Sequence, residues 1–145
     1  MLLSSIVPEL VTVPFSNDDV YLGLAQMSGL AKATKEGLFL EFETKENLTG
    51  SGLIKSPTIK ISIPLDGLET VSMKKTLLGA KLTICTRNLD LLKDVPGSHQ
   101  GQITLGIARK DRSMAERLVS TVNVYQSEHE LTKIKTRAAS SSDTG

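Results

Sequence analysis

The chain has 145 residues, with 17 Lys and Arg against 16 Asp and Glu, one Cys, two His and no Trp. That length suits one domain with a real core, and a single cysteine excludes both an intramolecular disulfide framework and a cysteine-rich zinc site. A net charge of +1 argues against a nucleic-acid binder that works by bulk charge, and 39% hydrophobic with 23% charged residues is globular composition.

At the N-terminus no Lys or Arg precedes Lys32, and Pro8-Glu9 interrupts the first apolar stretch. A secretory signal needs a basic start and a continuous apolar run, so none is expected. No run reaches the ~18 apolar residues of a spanning helix. These features predict a soluble chain in the cytoplasm, and the lone Cys85 fits a reducing compartment.

Residues 10–15 (Leu-Val-Thr-Val-Pro-Phe) alternate and are β-branched, which predicts a short strand, with Pro14 placing it at a sheet edge. Ser16-Asn17-Asp18-Asp19 reads as a turn. In residues 20–33 the apolar phase slips between Val20, Leu22, Leu24 and Met27, Leu30, and Gly23 and Gly29 would weaken a helix. A strand with a bulge or bend is predicted. Lys35-Glu36-Gly37 forms a hairpin turn, and Leu38, Leu40 and Phe42 alternate with acids in a half-buried strand. Residues 45–57 are a Gly/Ser/Thr/Asn-rich loop. Ile59, Ile61 and Ile63 carry the clearest strand signal, stopped by Pro64 and turned by Asp66-Gly67.

Further strands are predicted over Leu68–Lys75, Lys81–Arg87 and Ile103–Ile107, with a turn at Leu77-Leu78-Gly79 and one helical turn at Leu89–Lys93. The period then changes from 2 to 3.6. Met114, Ala115, Leu118, Val119, Val122 and Tyr125 share a helical face. Asp111 or Ser113 caps the start, with Ser113-x-x-Glu116 matching a capping box, and the helix ends near Glu128. One domain over 1–128 and a mobile polar tail over 129–145 result. The fold class is mainly β: about seven antiparallel strands in a barrel or sandwich, with one C-terminal amphipathic helix available to plug an open end.

That order, with Ile63-Pro64-Leu65-Asp66-Gly67-Leu68-Glu69-Thr70-Val71, Leu77-Leu78-Gly79-Ala80-Lys81-Leu82-Thr83-Ile84, Arg109-Lys110-Asp111-Arg112 and Ala115-Glu116-Arg117-Leu118-Val119, resembles the pleckstrin-homology-like (PH-like) superfamily, particularly its small bacterial members of uncharacterised function. The likeness covers about two-thirds of the chain. It implies a seven-stranded barrel closed by a helix and a lipid, peptide or self-assembly role. Eukaryotic lipid-binding members carry a Trp in the last helix, and phosphoinositide binders place several basic residues around the first hairpin loop. Here the Trp is absent, and the nearest match is Lys32 and Lys35, with Glu36 beside them.

Chemistry-bearing residues are sparse. His99 sits in the Pro96–Gly101 loop and His129 beside the tail, neither with a carboxylate partner in sequence. Cys85 lies out of phase with Leu82 and Ile84 and reads as a structural thiol. No metal-ligand spacing, phosphate loop or cofactor motif occurs. Lys74 and Lys75 alternate to opposite faces, and Arg109, Lys110 and Arg112 precede a helix end that favours anions, so these cations read as surface charge. Three functions compete. The first is a non-catalytic binding or scaffold module that contacts a protein partner or a second copy through a strand edge or barrel mouth. The second binds anionic lipid weakly through Lys32 and Lys35. The third, a small-molecule carrier or enzyme, needs converging polar groups where the strands supply mainly Leu, Ile, Val and Phe. Nucleic acid is not expected as a partner, because too few aromatics are present to stack bases.

Overall fold

A computed structural model describes residues 10–20, 25–46 and 54–143. Strands β1 (Val11–Val20), β2 (Ala25–Thr34) and β3 (Gly37–Glu46) form one antiparallel meander. On its far side β3 pairs with the two-residue β4 (Ile54–Lys55) and with β5 (Ile59–Pro64). Strands β6 (Leu68–Lys75), β7 (Gly79–Thr86) and β8 (Gln102–Ala108) form a second meander. The two meanders join where β1 meets β8, at the single pair Ser16 and Gly106. The sheet therefore runs β5 (with β4), β3, β2, β1, β8, β7, β6, and it is not closed: β5 and β6 are its edges among the described residues. This is the expected mainly-β class, with seven strands of six residues or more and a terminal helix.

Period-2 alternation explains the core. Val11, Val13 and Phe15 of β1, Leu38, Leu40 and Phe42 of β3, Leu82 and Ile84 of β7, and Ile103, Leu105 and Ile107 of β8 are all buried. Helix α1 (Arg112–Asp143) packs on β1, β2 and β6 through Ala115, Leu118 and Val122. Leu118 and Val122 each stabilise the fold by roughly 1.5–3 kcal/mol when fully removed from water, and the small Ala115 lets the helix approach closely.

Several expectations change. Ser16-Asn17-Asp18-Asp19 is strand, not turn: Ser16 and Asn17 pair with Ser28 and Met27, and the ladder shifts register only between Asn17 and Val20. Cross-strand hydrogen bonds on β2 outweigh the local turn preference of Asn and Asp. Strand β1 is central, not an edge. Pro14 is tolerated because β1 touches β8 only at Ser16, which leaves the Pro14 position outside that ladder. The expected bulge or bend in β2 is absent at Gly29, whose partners Phe15 and Phe42 stay in register, and the one register shift against β1 lies between Asn17 and Val20. A Cβ there would stand 1.9 Å from the Glu41 carbonyl oxygen, so the backbones approach where no side chain fits. In β6 a register shift between Leu68 and Thr70 puts both Leu68 and Val71 inside. The Asp66-Gly67 turn is a 3-10 turn over Leu65–Gly67, and the one at Leu89–Leu92 falls where expected.

The largest correction concerns the C-terminus. The helix does not end near Glu128 but continues to Asp143, so most of the expected tail is helical. Its apolar stripe stops at Tyr125, yet residues 129–143 contain no Gly or Pro and several strong helix formers. Glu130 and Lys133 add an i,i+3 pair at 3.8 Å. The start differs too. A 3-10 turn at Arg109–Asp111 runs directly into Arg112, so Ser113 lies inside the first turn rather than at its cap. Glu116 binds Lys75 instead. The expected loop over 45–57 lies partly outside the described residues, as do residues 21–24.

Candidate functional site

The distal half of α1 leans over the turn that leads into β6. Asp66, exposed on that turn, accepts from His129 at 2.9 Å and from Lys133. The Lys133 ammonium first, and then His129, hold the Asp66 carboxyl below the ordinary carboxylate range. One turn earlier Gln126 donates to the Leu68 carbonyl oxygen at 3.2 Å, and Arg87 donates to the same oxygen at 3.2 Å. These contacts fix the helix beside the start of β6 and occupy the Leu68 carbonyl, the first of that strand.

Between them lies a groove of about 680 Å³, lined by Leu65, Glu69, Arg87, Gln126, Leu131 and Ile134 among others. Leu131 and Ile134 are 56% and 58% exposed, on a stretch of helix with nothing packed over them. An apolar-floored groove beside an unpaired strand edge can accept an extended segment: the edge supplies main-chain hydrogen bonds and the groove supplies side-chain pockets. Exposed Glu69, Lys74 and Lys75 along β6 keep that edge from indiscriminate pairing.

The residues considered for catalysis are dispersed. His129 is held by Asp66 against the helix, whereas His99 is exposed in its loop and shares an isolated bridge with Gln102. No serine, threonine or cysteine side chain hydrogen-bonds to either histidine among the described residues. Cys85 is half-buried on the outer face of β7, its Sγ 3.5 Å from Gln102 Oε1. Among the described residues no three His, Cys, Asp or Glu side chains gather as a metal site would require. A second pocket of about 490 Å³ is lined by Asn17, Lys81, His99, Gln102 and Thr104 where β1 splays from β8.

Lys32 and Lys35 stand in different surroundings. Lys32 Nζ is bound to Glu41 Oε1 at 2.8 Å across β2 and β3, and this contact holds the Glu41 carboxyl below its ordinary range. Lys35 stands exposed in the hairpin turn, beside Glu36.

Other cations are brought together instead. Lys74 and Lys81 face each other directly across β6 and β7, just below the Thr76–Gly79 turn. Gly79 pairs with Ala108, which sets Arg109 and Lys110 next to the same turn. Arg112 donates through Nε to the Gly79 carbonyl at 2.7 Å and through its terminal nitrogen to the Thr76 carbonyl, tying the turn to the start of α1. Sequence reasoning missed this cluster because its two halves lie about thirty residues apart; the matched alternation of β7 and β8 was the one signal that could have joined them.

The fold and its surfaces define a mainly-β domain with a terminal helix. No helix among the described residues is long and apolar enough to cross a membrane. No family model, curated protein or solved structure matches the chain.

Proposed function

We propose that this chain is a non-catalytic binding module of PH-like architecture that engages protein, either a partner or a second copy, at the outer edge of β6 beside α1. The single observation that carries this reading is an unpaired edge strand flanked by the groove into which Leu65, Leu131 and Ile134 open. About seven antiparallel strands followed by a C-terminal helix is also what the sequence resemblance implies, although the sheet here is not closed. An enzyme reading draws less support, because the one His–carboxylate contact is shared with Lys133.

The test has two arms. Light scattering across a concentration series reads self-association, and selection from a random peptide library reads capture of an extended segment. The expected result is a signal in at least one arm that disappears in a Leu131→Asp/Ile134→Asp variant with unchanged thermal stability. A strict monomer that enriches no peptide, or binding indifferent to that variant, overturns the reading.

A further inference from the structure

The tip of the β6–β7 hairpin exposes two adjacent leucines, Leu77 at 88% and Leu78 at 86%. Isolated exposed leucines are ordinary, but a four-residue turn has no need of two, and Gly, Asn or Asp would make it more readily. The tip is held in place. Thr76 N–H donates to the Gly79 carbonyl at 3.0 Å, Gly79 N–H donates to Thr76 Oγ1 at 3.1 Å, and Arg112 grips both turn carbonyls from behind. Lys75 adds an ion pair to Glu116 at 2.7 Å. The leucines are therefore presented on a braced wedge.

A collar of positive charge surrounds that wedge. Lys74, Lys75, Lys81, Arg109, Lys110 and Arg112 stand on the strands and turn next to it, against two acids, Asp111 and Glu116. Lys74 and Lys81 oppose each other across the strand pair, an arrangement that costs stability when nothing neutralises it. Neither side chain has an ion-pair or hydrogen-bond partner among the described residues, and the same holds for the side chains of Arg109 and Lys110.

We propose that the β6–β7 hairpin tip is a docking point for an anionic bilayer surface. Leu77 and Leu78 enter the interface, and the collar lies against the lipid headgroups. An apolar tip above a basic ring matches a layer that is apolar in depth and negative at its surface. A protein pocket would have to be concave, apolar and ringed with acid to offer the same complement.

Flotation with phosphatidylserine–phosphatidylcholine vesicles and with pure phosphatidylcholine vesicles tests this. The full chain is expected to bind the former, to bind the latter at least about tenfold more weakly, and to lose binding as salt approaches the molar range. Leu77→Ser/Leu78→Ser should lower partitioning by about tenfold or more, and so should Lys74→Ser/Lys81→Ser. Both pairs are exposed, so circular dichroism should be unchanged and the melting temperature should not fall, and Lys35→Ser should bind as the parent does. No binding by the parent chain, or binding unaffected by the leucine substitutions, overturns the proposal. So does self-association that depends on Leu77 and Leu78 without vesicle binding, which would assign the tip to a second copy.

Discussion

The two halves of helix α1 have different duties, and a matched pair of truncations separates them. Leu118 is fully buried against the sheet, whereas Ile134, sixteen residues later on the same helix, is 58% exposed. Removing three side-chain carbons at Leu118 forfeits both their burial and their packing, which costs about 2–5 kcal/mol for a buried leucine. A domain of this size is stable by about 5–15 kcal/mol, so a loss near 3 kcal/mol lowers Tm by roughly 10 °C. Ile134→Ala removes similar atoms from a place already wet, and its effect should stay within about 0.5 kcal/mol. Thermal and urea unfolding of Leu118→Ala, Ile134→Ala and the parent, with m-values compared to confirm one transition, measure the difference. Equal destabilisation by the two would refute the reasoning: the distal half would then be packed, and the groove proposed as a protein contact would not be open.

Three further outcomes follow from particular contacts. Gly29→Ala puts a Cβ 1.9 Å from the Glu41 carbonyl and 2.7 Å from Phe42 Cα, so urea denaturation should show a loss of at least about 2 kcal/mol; a neutral result means the strands do not approach that closely there. Arg112→Lys replaces a fork that spans two carbonyls with a point donor, and should cost about 1.5 kcal/mol and raise amide exchange at Gly79, both absent if the turn holds itself. Lys133 and His129 depress the Asp66 carboxyl below its ordinary 3.8, so its grip on α1 is present above that value and is lost as pH falls through the lower folded-state value. Protection factors for residues 129–137 should therefore fall in that acid range and be low already at pH 7 in Asp66→Asn; identical profiles for the two proteins would remove Asp66 from any role in holding the helix.

Much of the fold was readable because seven strands are half-buried and alternate plainly. Leu38, Leu40, Phe42 and Ile103, Leu105, Ile107 each mark one face without ambiguity, and all six are buried. Where alternation was carried by small residues it was harder to see. The inner face of β2 is Ala25, Met27, Ala31 and Ala33, interrupted by Gly29, while the conspicuous Leu30 lies half-buried on the other face. The β1 extension was hidden because Asn and Asp prefer turns locally, and only the β2 ladder overrides that preference. The distal helix was hidden for the converse reason. Periodicity reports a face that packs, and residues 129–143 are helical with little to pack against. Contacts across the fold had no local signature at all: Asp66 and His129 are 63 residues apart.

Charge shows the same limit more sharply. A chain total of +1 argues against binding by bulk charge, and along the sequence cations and acids are interspersed. Lys74 and Lys75 do point to different sides, Lys75 toward Glu116 on α1 and Lys74 toward Lys81 on β7. At the proposed bilayer contact the two can still act together, because a flat surface meets both faces of a hairpin tip. Six cations and two acids around the tip leave four positive charges there, so the remainder of the chain carries three negative ones to give +1. A molecule polarised in this way approaches an anionic surface tip first, since attraction within one screening length (about 8 Å at physiological salt) acts on the collar and not on the average. The same reasoning separates the tip from Lys32, which has a carboxylate at 2.8 Å and offers an incoming anion no uncompensated charge.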